Sequence, residues 1–238
     1  MATFHLFGIT HLLTILSLTG VIFFLVHGLQ KRNKPEVYQK YHVLLGFLLL
    51  AEVAFWRIPL LLENNFSIGY DLPLHLCGLS QILLVIYLWT GSRLLYDILF
   101  YWIITGSTLG VLIPDLQVGF PSFQFFSMFL SHTFSLAIML YLFFVQGKRP
   151  RDKSYHTAIW AMVFYGFVIL LPLDLLIGGN YLYMLEPPEV NFFLIRYLPP
   201  WPWYWPVLFA FFYLFFKGLY LQFARTFPQS QKKEEYQV

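Results

Sequence analysis

The stretch Phe123-Gln124-Phe125-Phe126-Ser127-Met128-Phe129-Leu130-Ser131-His132-Thr133-Phe134-Ser135-Leu136-Ala137-Ile138-Met139-Leu140-Tyr141-Leu142-Phe143-Phe144-Val145 contains no Asp, Glu, Lys or Arg. A helix needs roughly 20 apolar residues to cross the hydrocarbon core of a bilayer, and this run is long enough. Its polar members are not scattered. Gln124, Ser127, Met128, Ser131, His132 and Ser135 fall on one stripe at helical spacing. The run therefore reads as a membrane helix with one face turned toward protein or a cavity. A basic loop with Lys148, Arg149, Arg151 and Lys153 follows it.

Working outward in both directions, the same reading gives about seven spans. They are Ile9–Leu29, His42–Leu62, Leu72–Trp89, Leu95–Ile113, Phe123–Val145, Tyr155–Ile177 and Tyr204–Phe223. Only 11% of the 238 residues are charged, against 58% hydrophobic. A soluble domain carries about 25% charged residues, so lipid must cover most of this surface. A mean hydropathy of +0.64 agrees. The expected fold is an all-α polytopic bundle, a single integral membrane domain over residues 1–238. With a net charge of only +3, a nucleic-acid surface is not expected. One cysteine makes no internal disulfide. No basic stretch precedes the first apolar run, which reads as a retained span and not a signal peptide.

Orientation follows from the basic residues, which accumulate in cytoplasmic loops. Lys31, Arg32, Lys34 and Lys40 fill the first loop, and Arg93 the third. The fifth is basic as noted, and Arg225, Lys232 and Lys233 lie at the tail. The second and fourth loops have none and the sixth only Arg196. The N-terminus is thus expected outside and the C-terminus in the cytoplasm, with a short tail at about 225–238. The segment Pro199–Pro206, rich in Trp and Pro, reads as an aromatic belt at the outer interface. Gly106 and Gly110 read as a close-packing pair on the fourth span.

Ionisable residues inside membrane spans are costly and invite a functional reading. Glu52, Arg57, His75, Cys77, His132 and Asp174 all fall in the outer half or near mid-depth, with Asp115 and Asn180 in outer loops. A cavity opening toward the outer leaflet explains that shared depth. On the third span Cys77, Ser80, Gln81 and Leu84 share a face, while His75 points about 200° away from Cys77. His132, about two and a half turns into its span, is the better partner for the thiol. From residue chemistry alone three readings stay open. Cys77 and His132 form a nucleophile and base, or they are packing residues, or they join His75 and a carboxylate at zinc. Glu52 and Arg57 are five apart and are each expected to pair with another helix. Arg57 also suits a lipid phosphate.

The chain resembles the YwaF-like bacterial integral membrane proteins and their animal relative, transmembrane protein 164, which belongs with cysteine-dependent phospholipid acyltransferases. The resemblance rests on Phe7-Gly8 with His11, Leu72-Pro73-Leu74-His75-Leu76-Cys77, Pro114-Asp115-Leu116, Phe120-Pro121, His132, Gly179-Asn180-Tyr181-Leu182-Tyr183 and Pro200-Trp201-Pro202-Trp203-Tyr204. It implies a multi-pass protein of the bacterial cytoplasmic membrane, with Cys77 as nucleophile and His132 as its base. The expected activity is acyl transfer or acyl-ester hydrolysis on a membrane phospholipid or other acyl lipid. It needs no cofactor and no metal. Substrate contacts are expected from His75, Gln81, Glu52, Arg57, Gln124, Asn180, Tyr181 and Asp115. Gln81, Gln124 and Asn180 are the candidate oxyanion donors, each worth about 3 kcal/mol if well placed. The rival reading is a small-molecule transporter or receptor that uses the same cavity without covalent chemistry. Against it, no paired interrupted helices occur in matching halves.

Overall fold

The structure is a computed structural model and describes residues 3–32, 40–188 and 195–226. Lys34, Lys232 and Lys233, which contribute to the orientation argument, lie outside the described residues. The described residues form a helical bundle with no strand beyond one isolated bridge between Thr3 and Val118. Six helices are long and apolar enough to cross a membrane: Ile9–Arg32, His42–Leu62, Arg93–Leu112, Phe123–Phe144, Ser154–Ile177 and Tyr204–Phe223. The remaining span, the third, is the shorter apolar helix Leu76–Thr90. The chain is a multi-pass membrane protein.

The fourth span is the axis of the bundle. It packs against the third, fifth and sixth spans, and its buried residues include Tyr96, Leu99, Phe100, Tyr101 and Ile103. With Leu84, Leu88, Met139, Leu142 and Phe216 they form one apolar core. The first span leans on the fifth and the seventh on the sixth. Their outer faces carry bare apolar side chains such as Leu16, Phe24 and Leu214. Apolar faces this extensive belong against lipid.

Three departures from the sequence reading matter for the site. The third helix begins at Leu76 and not at Leu72. Pro73 supplies no N–H and forces its predecessor out of helical geometry. The chain from Leu72 to His75 instead makes a tight turn, with the Leu74 N–H on the Leu72 carbonyl. The second span breaks at Trp56 and Arg57 before a short helix, Ile58–Leu62. The sixth span widens into a π-helix over Tyr165–Leu170, directly before Pro172. A proline leaves a carbonyl one turn earlier without its partner, and a wider turn absorbs that defect.

The segment around Pro199–Pro206 is also only half a belt. Trp201 and Trp203 are exposed, but Tyr204 and Trp205 are buried. The indoles of Trp201 and Trp205 both donate to the Met184 carbonyl, and the Tyr204 hydroxyl donates to the Tyr183 carbonyl. They pin the outer loop onto the bundle. Polarity is not confined to the outer half either. Asp97, 1% exposed at the basic end of the fourth span, accepts the Arg151 N–H at 2.8 Å and pairs with the Arg151 guanidinium. That pairing, with Trp102 donating to the Ala158 carbonyl, clamps the fourth span to the sixth.

Candidate active site

Cys77 lies in the first turn of the third helix and stays partly accessible. His75 caps that helix without a side-chain bond to it. The N–H groups of a first helical turn have no acceptor within the helix.

His132 comes from the fifth span and faces the same stretch of the fourth span as Cys77, one turn away, within electrostatic reach of the thiol. Its Nδ1 lies 2.7 Å from the Met128 carbonyl. A carbonyl only accepts, so Nδ1 carries the proton and Nε2 is the bare nitrogen. An imidazole held this way can take a proton at Nε2 and is fixed in orientation from behind.

The fourth span makes the room for both groups. A Cβ at Gly110 would sit 2.5 Å from His132 Nε2 and 2.3 Å from its Cδ2. A Cβ at Gly106 would lie 3.4 Å from Cys77 Sγ. These glycines, one turn apart, do not bring two helix backbones together as their spacing suggests. They leave room for the thiol against Gly106 and for the ring against Gly110.

Glu52 stands on the imidazole side. Trp56 Nε1 donates to one of its oxygens, and Gln81 Nε2 to the other at 3.2 Å. Gln81 Nε2 also donates to the Ser131 carbonyl at 3.2 Å, next to His132. Both amide hydrogens of Gln81 are thus committed, and it serves as a link between spans and not as a free donor. Glu52 is within electrostatic reach of the His132 ring.

Other residues singled out from the sequence fall elsewhere. The Arg57 guanidinium donates to the carbonyls of Val53 and Asp71, at 2.8 and 3.1 Å, rather than to a carboxylate on another helix. Gln124 is exposed and stands two turns from His132. Asn180 is tied up in its own loop, bonding Leu185, Glu186 and the Glu186 carbonyl. Tyr181 is buried and braces the turn before the third helix, donating to the Ile68 carbonyl and accepting the Leu72 N–H. His75 is turned away from the thiol. It packs on Tyr70, Tyr181 and Tyr183, and its Nδ1 accepts the Leu182 N–H. A zinc set of His75, Cys77 and His132 is therefore not assembled. His11 ties the first span to the fourth through the Val111 carbonyl. Asp174 is fully buried and accepts the Tyr181 N–H.

Tyr183, in the sequence only the last residue of the Gly179–Tyr183 motif, is assigned no role there. Its hydroxyl donates to Asp115 at 3.0 Å, and its ring packs on His75 within electrostatic reach of Cys77. Burial, reinforced by the Asp115 charge, pushes its phenol well above the usual range. Both Leu182 and Tyr183 sit at φ 55°. A left-handed backbone costs a non-glycine residue roughly 1–2 kcal/mol, so the surrounding contacts must hold the loop in place. They do so through His75, Tyr204, Trp201 and Trp205. No composition or periodicity signal marks such a residue.

The match of a family model settles what kind of chain this is: residues 4–220 fit the TMEM164 family. The chain belongs to the TMEM164 family. No curated protein and no solved structure matches it. In this TMEM164 family chain the matched region takes in the first six spans, most of the seventh and every residue of the candidate site, from Glu52 to Tyr183.

Proposed function

We propose that this chain is a membrane-embedded lipid acyltransferase or acyl-ester hydrolase that works through Cys77 and His132. The observation that carries the reading is that the Cys77 sulfur and the His132 ring lie against Gly106 and Gly110, one turn apart on the fourth span, with the ring's Nδ1 committed to the Met128 carbonyl. An apolar surrounding disfavours a free thiolate, so a base beside the sulfur is what this chemistry requires.

His132 Nε2 takes the thiol proton, and the Cys77 sulfur attacks the carbonyl carbon of an acyl ester. The first-turn N–H groups of the third helix, which have no acceptor within the helix, would take the oxyanion of the tetrahedral intermediate. The carbon–oxygen bond of the ester then breaks. The departing alkoxide takes the proton back from His132, leaving a Cys77 thioester. In the second half, His132 removes a proton from a lipid hydroxyl or from water, that oxygen attacks the thioester carbon, and the C–S bond breaks with the Cys77 sulfur taking the proton back from His132. No cofactor enters either half. The substrate is a membrane phospholipid or another acyl lipid, and the compartment a bacterial cytoplasmic membrane, both as the family resemblance implies.

Purified protein incubated with phospholipid vesicles is expected to carry an acyl adduct on Cys77 by intact mass, released by hydroxylamine. Cys77→Ala and His132→Ala are both expected to insert and to lose acyl exchange, with a double variant no worse than either, since nucleophile and base act as a unit. Unchanged acyl exchange in Cys77→Ala would discard the reading in favour of a transporter or receptor.

A further inference from the structure

Glu52 is a half-buried carboxylate on a membrane helix, and no cation among the described residues forms a salt bridge with it. Its two oxygens are held by the neutral donors Trp56 and Gln81. The nearby Arg57 gives its hydrogen bonds to backbone carbonyls instead. Hydrogen bonds from two neutral donors suit an ionised carboxylate, which only accepts, and leave its charge uncancelled. Gln81 also reaches the Ser131 carbonyl, so the carboxylate is fixed relative to the turn of helix that bears His132.

The charge stands on the ring's side of the pair. Glu52 is coupled electrostatically to His132 and to Arg57. The group coupled to the thiol from the loops, by contrast, is Tyr183, whose hydroxyl donates to Asp115. The fourth span meets the ring with Gly110 and the sulfur with Gly106, and brings no charge there. The titratable neighbours are therefore Arg57 on the second span, Cys77 on the third, and Tyr183 and Asp115 outside.

We propose that Glu52 is a positioning residue for the Cys77–His132 pair: it is the fixed negative charge against which the imidazolium forms when the thiol proton moves to Nε2. The S–H bond of Cys77 breaks and an N–H bond forms on His132. Glu52 exchanges no proton. A carboxylate placed behind an imidazole does the same work in serine hydrolases, where it stabilises the imidazolium without being protonated. Here it acts across a gap and not by bonding Nδ1, which the Met128 carbonyl occupies. The proposal rests on the reading of Cys77 and His132 given above.

The test uses the single cysteine of the chain. Alkylation of the full-length protein in nanodiscs by iodoacetamide reports one site. Near neutral pH, Glu52→Gln is expected to slow alkylation about tenfold, the effect of one nearby charge on an ionisation. At high pH, where hydroxide removes the proton unaided, it should match wild type. Glu52→Asp, which keeps the charge, should recover part of the rate. In a His132→Ala background, Glu52→Gln should change nothing further. A neutral-pH rate unchanged by Glu52→Gln, or an equal loss with and without His132, would overturn the proposal. If His132→Ala itself leaves the rate unchanged, the pair falls and this role falls with it. If only Glu52→Gln is silent, the pair survives and Glu52 is structural. A misfolded variant would show a deficit at high pH as well, or an equal loss for Glu52→Asp, and either result counts against the role.

Discussion

Replacing Gly110 with alanine adds one methyl group at the place where the imidazole lies. Its carbon would come within 2.3 Å of the ring, where carbon atoms settle at about 3.5–4.0 Å, so ring or helix must move by about 1 Å. The helix cannot yield easily, because the fourth span is packed against the third, fifth and sixth. The ring cannot swing freely either, because Nδ1 is tied to Met128 at 2.7 Å. Keeping that tie moves Nε2 off the sulfur, and breaking it frees the wrong nitrogen. Overpacking of this size costs about 1–3 kcal/mol of stability. A displacement of about 1 Å in a reacting group costs about 100-fold in rate. Gly110→Ala should therefore remain folded at reduced melting temperature. It should lose Cys77 alkylation near neutral pH and acyl exchange by about that factor. Gly106→Ala is the internal control. Its methyl group would meet Cys77 Sγ at 3.4 Å, close to ordinary contact, so reactivity should stay within a few fold. The reasoning is refuted if Gly110→Ala and Gly106→Ala behave alike.

The orientation drawn from the basic loops predicts that a cysteine at Asn64 labels from outside in a Cys77→Ser background and one at Asp152 does not; the opposite labelling would put the cavity on the cytoplasmic side. Asp97→Asn should lower stability by about 1–3 kcal/mol and leave Cys77 alkylation unchanged, as read by thermal unfolding in detergent beside the alkylation rate. The cost stays below that of a fully buried pair because the Arg151 side chain is 49% exposed and can turn to water.

The spans were legible because apolar length is a local property, and the fifth needed nothing beyond its own residues. Cys77 and His132 stood out because ionisable or reactive groups are rare in such runs. What the sequence concealed depends on three dimensions. Gly106 and Gly110 have the spacing of a packing motif, and only the fold shows that the neighbours they admit are a thiol and a ring. Gln81 and Glu52 lie on different spans, so their bond has no sequence signature. The start of the third helix was placed four residues early because Leu72 and Leu74 are as apolar as a span requires. Pro73 decides the matter by geometry and not by hydropathy. Tyr183 looked like one tyrosine among the 16 of the chain, and its role follows from a loop held in an unusual backbone conformation.

The late start of the third helix has a consequence for the bilayer itself. Its 15 residues rise about 22 Å, which leaves it short of a hydrocarbon layer of about 30 Å. The turn through Pro73 and the loop of Tyr181 and Tyr183 cover that end of the helix, so Cys77, in its first turn, is expected below the level of the surrounding headgroups. On the proposed acyl chemistry, a lipid that delivers its ester to that sulfur must either sink or find the leaflet thinned around the protein, at a cost that rises with each ångström of mismatch. On that reading membrane thickness becomes a control on turnover, with longer and more ordered lipids lifting the ester away from Cys77.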